Sequence, residues 1–377
     1  MLEFNMIKLI NSSYKEFSMD AYEIKVSVII PIYNAEDTIR PAMDSVIDQT
    51  LSEIEIICVD DGSTDASLSI IKEYQKADPR VRILTEVNAG PGRARNRGLD
   101  RARGKYVAFL DADDFVEPTL LESLYSLSER EELDIALSDY DFYYNKTATF
   151  KRRVNEPHED AFAGGRIVSR TEHHDVLFQA TTLAAWDKLF RRSFIVEKGL
   201  HFSEDIRIFE DAVFVLCSLS LAERMAKEEK ILIHHRIHSE QSRAKSFSRF
   251  YQSIPDVYLR IKRFLMQHGV YAPLFNSFVN FTATRCYKIF NMLSQDAKRS
   301  FWQLLHEGYA EQLGWYGLAP ECFDSGEIVE FVVTVRTFGY SAYQKHLASG
   351  RRLTKKLLKK EPRRPFWRFG GKREIKE

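Results

Sequence analysis

The sequence predicts an α/β fold, with a mostly parallel sheet and a helical region towards the C-terminus. Short β-branched runs alternate with amphipathic segments between residues 25 and 138, with few residues between them. This alternation is typical of open parallel sheets, because each return to a parallel strand needs a crossover helix. The chain has 377 residues, of which 44% are hydrophobic and 29% charged, a composition that excludes a mostly disordered protein.

The first part of the chain contains apolar runs of strand length, each bounded by turn residues. They lie at residues 26–31, 54–59, 81–84, 106–110 and 134–138. Helices are predicted between them. The first has apolar positions from Ile39 to Ile47, the second runs to about Gln75, the third is arginine-rich and runs to about Arg103, and another begins near Pro118.

The later part of the chain is predicted with less regular elements. Residues 140–170 are polar and predict a loop or hairpin, and 171–222 predict helices, with Trp186, Leu189 and Phe190 on an apolar face. A late strand is expected at 230–236, and an aromatic helical stretch from about 250 to 310. The predicted units are an extension (1–24), the α/β domain (25–245), a helical C-terminal region (246–350) and a basic tail (351–377).

Acidic side chains follow three of the predicted strands, and this convergence is the main chemical signal in the sequence. Ligands of open α/β sheets bind at the carboxyl ends of the strands, so these carboxylates should share one crevice. They can hold a hard divalent cation or accept hydrogen bonds from ribose or a base. Strand-end aspartates also cap helices and make turns, which is the alternative for any one of them. The residues are Glu36 after the first strand, Asp60 and Asp61 after the second, and Asp111, Asp113 and Asp114 after the fourth.

Two further segments carry candidate groups. The stretch 88–99 is neither a GxGxxG nor a Walker A motif, but Arg93 and Arg95 could reach a diphosphate or base instead of forming a solvated helix face. Glu210 and Asp211 precede an apolar run. They are either acids of a helix's first turn, favoured by its dipole, or they include a general base for an acceptor hydroxyl.

Taken in order, these motifs resemble those of family 2 glycosyltransferases of the GT-A fold. The matching segments run from about residue 26 to 214 and read VSVIIPIYNAEDTI, IEIICVDDGSTD, NAGPGRARNRGL, GKYVAFLDADD, AAWDKLFRRSFI and FEDAVF. The later segment ILIHHRIHSEQS matches less closely, because His234 and His235 stand where the family has aromatic residues.

The resemblance implies inverting transfer of a sugar from a nucleotide-sugar donor to an acceptor hydroxyl, with Mn²⁺ or Mg²⁺ as cofactor. It implies that Asp113, with Asp111, holds the metal, that Asp211 is the catalytic base and that Glu210 helps to place the acceptor. Asp61 would hydrogen-bond the base, most often uracil, and Arg95 would lie near the base or diphosphate. The further positions implied for the nucleotide sugar are Pro31, Tyr33, Glu36, Asp60, Asn88 and Asp111.

Charge and composition indicate the partners and the compartment. The formal net charge is zero, which argues against a nucleic-acid binder. The tail 351–377 nevertheless carries +9, and its basic and aromatic residues are typical of a segment that attaches to an anionic membrane surface. Scattered cysteines, no long apolar run and a poor match to a signal peptide predict a cytoplasmic protein. The tail either makes it peripheral on the cytoplasmic face of the membrane or is a disordered, solubilising segment.

The expected acceptor is a glycan or lipid-linked glycan of surface polysaccharide, capsule or lipopolysaccharide synthesis. Two alternatives remain. One is a catalytically inactive GT-A scaffold that binds a partner, against which the retained acids Asp61, Asp111, Asp113 and Asp211 argue. The other is a sugar nucleotidyltransferase, whose glycine-rich, lysine-bearing signature is missing near the first strand.

Overall fold

The computed structural model of the chain describes residues 24–153, 158–206, 209–237 and 249–348. The strands are β1 Val26–Ile32, β2 Ile54–Asp60, β3 Val81–Thr85, β4 Tyr106–Phe109, β5 Phe115–Val116, β6 Ile135–Tyr144, β7 Thr149–Arg152, β8 Lys188–Arg191 and β9 Met225–Ile237. The helices of the first 237 residues are α1 Ile39–Ile47, α2 Ser67–Ala77, α3 Pro91–Leu99, α4 Leu120–Glu131, α5 Arg192–Glu197 and α6 Glu210–Leu221. Those after residue 249 are α7 Ile254–Gln267, α8 Phe275–Met292, α9 Gln295–Leu304, α10 Ala310–Gln312, α11 Gly326–Thr337 and α12 Tyr340–Ala348.

The strands form one sheet in the order β3-β2-β1-β4-β8-β6-β9-β5, with β7 paired to β6. Strands β1 to β4 are parallel, and β9 is parallel to β6. The pairings of β8 with β4 and β6, of β7 with β6 and of β5 with β9 are antiparallel. The predicted α/β class with a C-terminal helical region is therefore confirmed, with a mixed second half of the sheet.

Alternation along the parallel strands divides the apolar side chains between two cores, because neighbouring residues of a strand point to opposite faces. On one face, Val28 and Ile56 pack with helices α1, α2 and α4. On the other, Ile29 and Phe109 belong to a core that continues through α6 into the C-terminal helices, where Trp302 is fully buried. The C-terminal helices are thus packed onto the α/β part, and no described helix is long and apolar enough to span a membrane.

The sequence-based elements need correction at several points. Leu189 and Phe190 lie on the strand β8, not on the helix expected within 171–222, and they belong to opposite cores. A short run buried on both faces looks the same in a helix and in a strand, so periodicity could not separate them. Helix α3 ends at Leu99 instead of about Arg103, and β6 continues to Tyr144, where it forms a hairpin with β7.

The domain boundaries stay predictions. The extension 1–24 lies outside the described residues except for Ile24, and the basic tail 351–377 lies wholly outside them. The boundary near residue 245 falls in the gap 238–248, which the structure likewise does not describe.

Candidate active site

A cavity of 740 Å³ opens at the carboxyl ends of β1, β2 and β4, beside the first turns of α3 and α6. Strand β1 lies between β2 and β4, and the three are parallel, so their carboxyl ends meet at one edge of the sheet. Nearly all of the residues singled out in the sequence line this cavity: Pro31, Tyr33, Asp61, Asn88, Arg95, Asp111, Asp113, Glu210 and Asp211.

Arg95 of α3 holds three of the cavity carboxylates together, although its side chain is only 4% exposed. Its Nη2 donates to Asp111 Oδ1 at 2.7 Å, and its Nη1 donates to Glu210 Oε1 at 2.9 Å and to Asp211 Oδ1 at 3.0 Å. A guanidinium presents several donors in a fixed plane, which suits this bridging position. The residue expected near the base or diphosphate therefore joins the aspartate turn after β4 to the first turn of α6.

Burial and the neighbouring charges act together on the pKa of Asp211. Burial raises the pKa of Asp211 well above its usual value, Arg95 opposes this rise, and Glu210 adds to it. Asp211 is 22% exposed and lines the cavity, so it remains accessible to a bound substrate. A carboxylate with a raised pKa is the stronger proton acceptor once it is ionised, and Arg95 favours the ionised form.

The aspartates after β4 form a cluster whose ligand oxygens lie within 4.8 Å of one another. Asp114 is fully buried, and both of its carboxylate oxygens already accept hydrogen bonds within the protein. The donors are His235 Nδ1 at 3.0 Å and the Arg236 backbone N at 2.8 Å. Burial raises the pKa of Asp114 to about 6, and His235 opposes the rise. Asp111 and Asp113 instead face the cavity, and an all-oxygen donor set fits a hard cation such as Mg²⁺ or Mn²⁺.

Asp61 shapes the loop that leads into α3. Its two carboxylate oxygens accept hydrogen bonds from the backbone N of Ala89 and of Gly90, both at 2.8 Å. Gly90 has a φ of 102°, a left-handed conformation that favours glycine. Each carboxylate oxygen has a second lone pair, so Asp61 can still accept a hydrogen bond from a ligand in the cavity.

Two of the residues expected at the nucleotide do not line the cavity. Asp60 is buried at the end of β2, where its Oδ1 accepts from Ser63 N at 3.4 Å. Glu36 accepts from Ala66 N at 2.9 Å and so fixes the residue that precedes α2. Their part in nucleotide binding stays a prediction, whereas Tyr33 stands at the rim of the cavity and is 52% exposed.

One residue of the cavity and one buried ion pair outside its lining had no assigned role in the sequence. Asn145, in the β6–β7 turn, lines the cavity and accepts a hydrogen bond from Arg236. Lys188 of β8 is fully buried and donates to Asp187 Oδ1 at 2.6 Å and to Ala184 O at 2.9 Å. The AAWDKLF motif contains Asp187 and Lys188, but only the structure shows that they form a buried ion pair.

The two histidines that depart from the family pattern are both hydrogen-bonded to carboxylates. His234 lies between Asp141 at 2.7 Å and Glu117 at 2.9 Å. His235 contacts Asp114 and stacks on Trp186, with the ring centroids 5.1 Å apart. Both side chains thus link β9 by hydrogen bonds to neighbouring segments beside the aspartate cluster.

Comparisons with known proteins agree with this geometry. The family model for glycosyl transferase family 2 matches residues 27–196. The Escherichia coli K12 protein YibD, described as an uncharacterized glycosyltransferase, is 32% identical over 271 residues, which cover 69% of this chain and 78% of YibD. The Bacillus subtilis protein EpsJ, with the same description, is 36% identical over 215 residues, which cover 56% of this chain and 60% of EpsJ.

Among solved structures, residues 1–349 of S. aureus TarS in complex with UDP have a similar fold. The TM-score is 0.66 at 19% sequence identity, and the match covers 88% of this chain and 93% of that one. A likeness at this level of identity concerns the fold alone. It supports the arrangement of the sheet and of the C-terminal helices.

Proposed function

Because the chain belongs to the family 2 glycosyltransferases, we propose that it transfers a sugar from a UDP-sugar donor to an acceptor hydroxyl with inversion at the anomeric carbon. One observation carries the proposal. The candidate base Asp211 and the acidic pair Asp111 and Asp113 line the same cavity, and Arg95 joins Asp211 to Asp111. Inversion needs one in-line displacement, with a base on one side of the anomeric carbon and a leaving group on the other.

Asp211 takes the proton of the acceptor hydroxyl in this mechanism. Its position in the first turn of α6 and its contact with Arg95 both favour the ionised carboxylate. As the acceptor oxygen attacks the anomeric carbon, its proton passes to Asp211, and the bond from that carbon to the diphosphate breaks. Loss of one general base lowers the rate by about 10²–10⁴. Glu210, held by Arg95, orients Asp211 and the acceptor.

The donor is proposed to occupy the part of the cavity between the ends of β1 and β2 and the start of α3. Asp61 accepts a hydrogen bond from the imide N–H of uracil, and Tyr33 covers the base from the rim of the cavity. Asp111 and Asp113 would hold a divalent cation, and such a cation would supply stabilisation of the charge that develops on the leaving diphosphate. Neutralisation by a metal suits this leaving group, which needs no general acid.

The biological setting that we propose is synthesis of a surface polysaccharide, capsule or lipopolysaccharide on the cytoplasmic side of the membrane. The acceptor is then a glycan or a lipid-linked glycan. The tail 351–377, which lies outside the described residues, would attach the enzyme to anionic lipids through its +9 charge. Flotation of the full chain with anionic vesicles, but not of a chain ending at residue 350, is the expected result.

The test is a donor screen. Purified protein is incubated with Mn²⁺ and a panel of UDP-, GDP- and dTDP-sugars, and release of free nucleoside diphosphate is measured. We expect slow hydrolysis of one UDP-sugar that stops when the metal is chelated. If no nucleotide of the panel binds, the proposal is wrong and a scaffold without catalytic activity becomes the better account.

A further inference from the structure

One face of the sheet beside the cavity carries aromatic side chains that take no part in either core. The register pairs Phe115 with His234, and Tyr143 with both Phe150 and Arg236. Because paired residues of neighbouring strands share a face, these side chains lie on one side of β5, β9, β6 and β7. We call this surface the aromatic face, and it consists of Phe115, Asp141, Tyr143, Phe150, His234 and Arg236.

The rings form a connected layer. Phe115 and Tyr143 have centroids 5.2 Å apart, Tyr143 and Phe150 5.1 Å, and Phe150 and His234 4.9 Å. In the described part of the chain, neither core includes Phe115, Tyr143 or Phe150, and Phe150 is 54% exposed on the edge strand β7. An apolar patch rimmed by polar residues is a feature of binding surfaces, and the connected rings beside Glu117 and Arg236 form such a patch.

Arg236 joins the aromatic face to the cavity. Its guanidinium lies over Phe115 and Tyr143, 5.4 and 5.2 Å from the ring centroids. Its Nε donates to the backbone O of Asp113 at 2.7 Å, and its Nη1 donates to Asn145, which itself lines the cavity. The aromatic face therefore begins where the cavity ends, next to the aspartate turn.

We propose that the aromatic face is the acceptor subsite and that it stacks a pyranose ring of a carbohydrate acceptor. The proposal rests on the proposed function, and it specifies a sugar as the part of the acceptor that the enzyme recognises. A pyranose presents C–H groups on its faces and hydroxyls at its edge, so it needs an aromatic ring with polar groups beside it. The rings of Phe150 and Tyr143 supply the first, and the exposed carboxylate of Glu117, held in place by the buried His234, supplies the second.

An exposed carboxylate argues against a lipid chain on the same surface. The Glu117 side chain is 48% exposed beside the rings, and an acyl chain would remove its water without offering a hydrogen-bond donor. A hydroxyl-rich ring can donate to this carboxylate. A second copy of the chain, pairing through the edge strand β7, is the competing occupant that the experiment separates.

The experiment measures binding of methyl glycosides of glucose, galactose, N-acetylglucosamine and mannose by saturation-transfer NMR, with UDP and Mn²⁺ present. Wild type is compared with Phe150→Ala and with the control Met266→Ala, which removes another partly exposed apolar side chain in α7. We expect at least one glycoside to bind the wild type, and Phe150→Ala to weaken it about 3–10-fold, the usual size of one aromatic contact. Met266→Ala should change nothing.

Three outcomes would overturn the proposal: no glycoside binds the wild type, Phe150→Ala binds as the wild type does, or light scattering shows that Phe150→Ala converts a dimer to a monomer. UDP binding and acceptor-free hydrolysis of the donor should be equal in all three proteins. If the wild type itself lacks both, the proposed function fails, which is distinguishable from a failure of the acceptor subsite alone.

Discussion

Replacing Arg95 with methionine keeps an unbranched apolar stem and removes the only group that the structure shows bridging Asp111, Glu210 and Asp211 within the described residues. The three carboxylates, which are between 11% and 26% exposed, would then lie together without their cation. Removing one partner of a buried pair costs about 3–5 kcal/mol of stability. With an unfolding entropy of about 2.1 cal/mol/K per residue, that loss lowers Tm by about 4–6 °C.

The same substitution should change catalysis in a pH-dependent way. Arg95 opposes the burial that raises the pKa of Asp211, so without it that pKa rises further and less of the base is ionised at neutral pH. We expect the rate to fall towards the loss of about 10²–10⁴ that removal of a general base causes. The rate should recover partly as the pH increases, because Asp211 then ionises.

The assays are thermal unfolding and nucleoside diphosphate release from pH 6 to 9. Arg93→Met is the matched control, since Arg93 lies on the same helix, is 48% exposed and contacts Glu86 at 3.4 Å. Arg97 also lies 3.7 Å from Glu86, whose side chain is 8% exposed, so this carboxylate keeps a cation when Arg93 is removed. The Tm of Arg93→Met should therefore fall much less than that of Arg95→Met. An unchanged Tm together with an unchanged pH profile in Arg95→Met would refute the reasoning.

The remaining predictions concern the metal, the charge of Asp211 and the packing of α3. Asp113→Ala should lose both metal dependence and donor affinity, which calorimetric titration of UDP with Mn²⁺ measures; full activity in a chelator would contradict the assignment. Burial raises the pKa of Asp211 above its unfolded value of about 3.9. The stability from its protonation is therefore complete below that pH and is lost as the pH rises through the folded pKa. Between pH 5 and 9, the free energy of unfolding of Asp211→Asn, measured with urea, should depend less on pH than that of the wild type. An equal dependence on pH in the two proteins would count against the raised pKa. In Gly98→Ala the new Cβ would lie 2.4 Å from Ile29 Cγ2, so we expect a loss of about 1–3 kcal/mol by urea unfolding. Gly326→Ala has open space and is the control, and equal stability of the two variants would argue against close packing of α3 on β1.

The parallel half of the fold was predictable because each strand is a short β-branched run and each crossover helix has an apolar stripe. Strand β8 was not, because its identity depends on the pairing of Leu189 with Ala108, residues distant in the chain. The very short β5 gives no sequence signal either, and it exists through its pairing with β9.

Much of the candidate site was predictable, because strand-end acids converge wherever parallel strands share an edge. The partners of Arg95 were not, since Asp211 lies 116 residues away in the chain. Likewise, the Asp-Ala-Asp-Asp run does not tell which acid faces the cavity. In the structure, Asp114 is hydrogen-bonded to the backbone of β9, whereas Asp111 and Asp113 line the cavity.

The central claim is that Asp211 acts in the chemical step while Asp61, Asp111 and Asp113 bind the donor. The most direct test compares Asp211→Asn with the wild type for UDP affinity in Mn²⁺ and for metal-dependent hydrolysis of the preferred UDP-sugar. The account predicts similar affinity and a loss of turnover of about 10²–10⁴. Turnover within a few-fold of the wild type, at equal affinity, would contradict it.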